Sequence, residues 1–90
     1  MKKVTFGLQM QDKVHEWRVP TEGYGFTHSG VELVVHELDA VGWQVSEPVT
    51  GKYVVRYCKT RKEAIAGAKE RLDQPALLAR ALKLIERGRK

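Results

Sequence analysis

Ninety residues with 42% apolar and 30% charged side chains have an ordinary globular composition and exclude a disordered one; the length suits one domain, residues 1–90, with a small core. The net charge is +5, yet residues 1–58 carry six Lys/Arg against seven Asp/Glu, whereas residues 59–90 carry ten against four. The chain therefore reads as a near-neutral part followed by a basic one, and with no apolar run near the roughly 20 residues of a membrane span it excludes a spanning helix.

Val4, Phe6, Leu8 and Met10 alternate with Thr5, Gly7 and Gln9, the period of a half-buried strand. The basic start MKKVTFGLQMQDK contains no continuous apolar stretch, so no signal peptide is expected. Residues 14–19, VHEWRV, read as a second strand. It joins the first in an antiparallel hairpin through Gln11-Asp12-Lys13 and is ended by Pro20. Residues 20–30, PTEGYGFTHSG, hold three of the eight glycines and read as a loop. Two roles fit Tyr24 and Phe26 there: an exposed recognition surface, or a fold-back over the edge of the core.

Residues 31–41, VELVVHELDAV, predict a helix. Val31, Val34, Val35, Leu38 and Val41 fall on one helical stripe with Glu32, His36 and Asp39 opposite, whereas strict alternation would put Glu37 among the apolar residues. Ser29 with Glu32 supplies a capping box, and Gly42 a C-terminal stop. WQVSE and KYVVRYC then read as strands around the turn PVTG. Alternation places Tyr53, Val55 and Tyr57 on one face and Val54, Arg56 and Cys58 on the other. Thr60 with Glu63 repeats the capping pattern and starts a helix near Arg61, with Ala64, Ile65, Ala68 and Leu72 as its apolar side. Asp73-Gln74-Pro75 interrupts it, and a last helix runs from about residue 75 to 87. The order β-β-α-β-β-α-α implies an α+β two-layer sandwich, a mainly antiparallel sheet with helices on one face.

His15, His28 and His36 form no tight pair and the single cysteine supplies no zinc pattern, so no metal, cofactor or catalytic set is expected. Cys58 has no base specified beside it and reads as structural, a lone thiol suited to a reducing cytoplasm. An enzyme would need a pocket gathering His28, His36 and Cys58. The remaining signal is positive charge. Arg61 and Lys62 occupy a first helical turn, where the dipole disfavours cations. A phosphate at the helix start would explain them, although Thr60 and Glu63 compete for the same N–H groups.

On the last helix Arg80, Lys83, Arg87 and Lys90 form a row opposite Leu78, Ala81, Leu82 and Ile85. With Lys59 and Lys69 these cations predict a non-enzymatic module that binds RNA or DNA through phosphate contacts with little sequence readout. The alternative is a protein-interaction or regulatory subunit that meets an acidic protein. Leu77 and Leu84 widen the apolar arc of the last helix. Either the whole arc packs within the monomer, or part of it forms a weak two-fold homodimer.

Read as helix, Gly42-Trp43, strand, turn with Gly51 and strand, residues 31–57 resemble small bacterial toxins of the HicA type, which have a double-stranded-RNA-binding-like fold. The histidine of that family's hairpin is absent, since Lys52 and Tyr53 follow Gly51, and the N-terminal hairpin is extra. The resemblance implies RNA binding without nuclease activity.

Overall fold

The computed structural model describes residues 1–38 and 41–89. Five strands, β1 (Lys2–Gln11), β2 (Glu16–His28), β3 (Val31–Leu38), β4 (Gly42–Ser46) and β5 (Tyr53–Cys58), precede two helices, α1 (Arg61–Leu72) and α2 (Pro75–Gly88). The strands form one antiparallel sheet in the order β1-β2-β3-β4-β5. The α+β class, the antiparallel sheet and the placing of the helices on one face agree with the sequence reading. Val31, Leu33 and Val35 of β3 and Val45 of β4 pack with Ala64, Ala68 and Leu72 of α1 and Ile85 of α2. A smaller cluster of Phe6, Leu8 and Val34 lies on the other face.

The third element corrects the sequence reading: residues 31–38 are a strand, not a helix. As the middle strand, β3 is covered on both faces, so its apolar residues run together instead of alternating. Val34 and Val35, placed on one helical stripe by periodicity, point to opposite sides of the sheet, while Glu32 and Glu37 reach exposed positions. Ser29 and Gly30 are the turn of the β2–β3 hairpin rather than a helix cap; both have positive φ, 52° and 78°, as a tight two-residue hairpin turn requires. Residues 39 and 40 of the expected helix lie outside the described residues. The helix on which the HicA-like succession depends is therefore missing.

The expected loop at 20–30 is also mostly strand. β2 continues through Pro20, which pairs opposite Gly7, and acquires β3 as its second neighbour only at Tyr24. Before that point one edge of β2 is open, so a residue without an N–H leaves no gap in a ladder. Tyr24 and Phe26 are half-buried against the helix-side core, which is the fold-back reading.

The sheet curls until β1 meets the β4–β5 turn, without closing. The Gln9 N–H donates to the Gly51 carbonyl (2.8 Å), and Arg18 Nη1 donates to the Val49 carbonyl (3.1 Å). Gly51 has φ +72°, and a Cβ there would run into the Gly7 carbonyl. The turn itself is held by the buried carboxylate of Glu47, which accepts from the N–H groups of Val49 (2.6 Å) and Thr50 (2.7 Å). Beyond this seam, β1 and β5 remain separated by a cleft of about 550 Å³.

Candidate functional site

The basic segment is built on α1, α2 and the residue before them. At the start of α1 the Glu63 N–H donates to Thr60 Oγ1 and the Lys59 N–H donates to Glu63 Oε2, each at 3.1 Å. The cap that the sequence predicted is formed, and it occupies donors that a bound phosphate would need. Arg61, Lys62 and Lys69 instead line a shallow hollow over Ile65 and Ala66, beside Met1. The Arg61 guanidinium also sits 5.4 Å from the centre of the Tyr24 ring.

Lys59, Arg80, Lys83 and Arg87 are exposed but do not line this hollow, and Lys90 lies outside the described residues. The charged contacts among the described residues are the Lys3–Glu22 ion pair and the approaches of His15 to Asp12 and His28 to Asp73, which are ionic only with the histidine protonated. The cations of α1 and α2 thus have no carboxylate in ion-pairing range there. On α2, Leu78, Ala81 and Ile85 pack on the core, Leu84 is half-buried, and Leu77 and Leu82 are exposed.

A second cationic group, which sequence alternation obscured, lies on β5. The β4–β5 pairing shifts register between Trp43 and Ser46, and Tyr57 adopts φ +64°. These irregularities break the simple alternation that had put Arg56 on the face opposite Tyr53 and Tyr57. Its guanidinium carbon lies 4.2 Å from the Tyr53 ring centre and 4.7 Å from that of Tyr57, within the range of favourable cation–π contact. Both tyrosines are exposed, by 50% and 62%. Tyr53, Arg56 and Lys52 form one wall of the β1–β5 cleft; Gln9 and Gln11 face them from β1, and the buried Gln44 lies deeper.

The histidines do not gather with Cys58. His28 Nε2 lies 2.7 Å from Asp73 Oδ1, joining the end of β2 to the bend between the helices. His36 Nε2 lies 2.8 Å from Ser46 Oγ, which also accepts from Gln44 Nε2 at 3.0 Å. Phe6 meets the His36 ring edge-on at 5.2 Å between centres. His36 and Ser46 are fully buried, and His36 lies at the base of a surface pocket shared with Lys3, Glu22, Tyr24 and Trp43. His36 Nδ1 has no well-formed hydrogen bond. Burial lowers the His36 pKa, with the Glu37 backbone pulling the other way. The Cys58 thiol is half-buried against the main core. No helix among the described residues is long and apolar enough to cross a membrane.

No family model matches the chain, and neither does any curated protein or solved structure.

Proposed function

We propose that the protein is a small binding module for nucleic acid that uses the exposed cations of its C-terminal third as phosphate contacts. The observation that carries this reading is the unneutralised charge. Arg61, Lys62 and Lys69 share one hollow, Arg80, Lys83 and Arg87 stand exposed on α2, and none of them has a carboxylate in ion-pairing range among the described residues. Solvated cations of this kind gain by releasing the counterions of a phosphate backbone. The capped start of α1 moves the expected contacts from backbone N–H groups to side chains, so Arg61 and Lys62 serve as charges rather than as a helix-end anion site. Contacts of this type give little sequence preference.

The test is a binding titration at low salt with labelled RNA and DNA, using wild type and a Lys62→Ala/Arg80→Ala/Lys83→Ala/Arg87→Ala variant. Micromolar or weaker binding by wild type and a similar loss across sequences in the variant support the reading. Equal binding by both proteins, or binding by neither, refutes it and gives first place to an acidic protein partner.

The exposed Leu77 and Leu82, at 37% and 44%, favour weak association of two copies through the outer arc of α2. Sedimentation at high micromolar concentration should show a dimer fraction that Leu82→Lys removes. A strictly monomeric wild type would end this part of the proposal.

A further inference from the structure

We infer that the β5 wall of the β1–β5 cleft is a stacking site for unpaired bases, so that the module prefers single-stranded nucleic acid to duplex. This inference rests on the nucleic-acid reading above but uses different residues.

Three features meet at this wall, which Tyr53 and Arg56 line directly and Tyr57 extends through its contact with Arg56. The first is the Tyr53–Arg56–Tyr57 stack. Two exposed aromatic rings are held by one guanidinium, 4.2 and 4.7 Å from their centres. Arg56 lies over one face of each ring, and both tyrosine residues keep half or more of their surface open to solvent. Exposed aromatic faces beside cations are the common means of holding single strands, because every base has a π-face to stack. The second is the conformation of Tyr57. A non-glycine residue at φ +64° is strained, and such strain persists only where its surroundings enforce it. In this conformation the Tyr57 ring lies beside the Arg56 guanidinium.

The third feature is the chemistry of the cleft. Its volume, about 550 Å³, falls within the approximate 300–1,000 Å³ range of ligand pockets. Lys52 and Arg56 line it together with Gln9, Gln11, Gln44 and the apolar Leu8, Met10 and Leu38, and among the described residues no carboxylate does. The amides of Gln9 and Gln11 can donate to and accept from base edges, while that of Gln44 is held by Ser46, and the two cations can meet the adjoining phosphates. An acidic peptide would satisfy the cations but would leave the stacking faces unused. A duplex keeps its bases inside the stack, so it can engage the cations without reaching the tyrosines.

The experiment measures fluorescence anisotropy of labelled oligothymidine and of a mixed-sequence duplex of equal length, at one salt concentration. The proteins are full-length wild type, Tyr53→Ala/Tyr57→Gly and Tyr53→Phe/Tyr57→Phe. Glycine at 57 suits the positive φ and so avoids adding strain, and thermal unfolding checks that each variant folds. Wild type should bind the single strand about tenfold more tightly than the duplex. The Ala/Gly variant should lose roughly 5- to 150-fold in single-strand affinity, the range for removing one stacked base, with duplex affinity unchanged. The Phe/Phe variant should retain single-strand binding.

Equal affinity of wild type for the two forms, or parallel losses on both in the Ala/Gly variant, overturns the stacking site while leaving the phosphate reading intact. Absence of binding to either form overturns both. If polyglutamate displaces the oligothymidine and binds more tightly than it, with the Ala/Gly substitutions weakening polyglutamate as much, the wall is a protein-docking surface and the inference also fails.

Discussion

His36 is a titratable side chain enclosed by Phe6, Ser46 and the apolar cluster of the sheet's curled face. Its pKa is lowered from 6.5, chiefly by burial, so the unfolded chain takes up this proton at a higher pH than the folded one. The His36 contribution to stability is therefore complete above about pH 6.5 and is lost as the pH falls below it towards the folded pKa. Urea unfolding at about pH 7.5 and about pH 5 should show wild type losing more stability on acidification than His36→Gln. Parallel losses in the two proteins would mean that His36 is solvated or charged in the fold. In the sequence His36 is a histidine among valines with no sign of its enclosure, because the spacing of residues 31–41 fits a helical stripe that puts His36 on the outer side. Arg56 was obscured for a different reason. The positive φ of Tyr57 has no marker in the residue type, so alternation separated three side chains that the register shift brings together.

Elements were legible where local chemistry and packing agree. The Thr60–Glu63 cap, the buried Ala64, Ala68 and Leu72 of α1, and the interruption at Asp73-Gln74-Pro75 follow the sequence pattern closely. Strand β3 was misread because burial on both faces erases the alternation that marks a strand, and the spacing left behind resembles a helical stripe. Strand β2 was cut short at Pro20 because its open edge depends on where β3 begins to pair, which is a tertiary fact. The seam between β1 and the β4–β5 turn gives an element-scale prediction. Gly51→Ala puts a side chain at φ +72° against the Gly7 carbonyl. The backbone term alone costs about 1–2 kcal/mol, and the clash adds to it. Global stability should fall by at least that much, and the Gln9 amide, which donates across the seam, should exchange with solvent faster than its β1 neighbours. Unchanged exchange at Gln9 would show that the curl does not depend on this contact.

At the scale of the molecule, charge and shape are divided. The curled sheet and the packed faces of the helices hold the apolar clusters, while the outer faces of α1 and α2 hold most of the excess positive charge. The basic segment was legible from composition alone, but its grouping was not. Arg61, Lys62 and Lys69 share a hollow, whereas the row on α2 stands apart from it. Removing exposed cations should change stability by less than about 0.5 kcal/mol, so binding can be measured without a folding artefact. The most direct test of the phosphate-binding account is the slope of log affinity against log salt for one RNA, in wild type and in the Lys62/Arg80/Lys83/Arg87 quadruple alanine variant. Loss of four phosphate contacts should flatten the slope by about 3, since each contact contributes roughly 0.7–0.9. A wild-type affinity that does not fall with salt, or a slope that is the same in both proteins, would contradict the account.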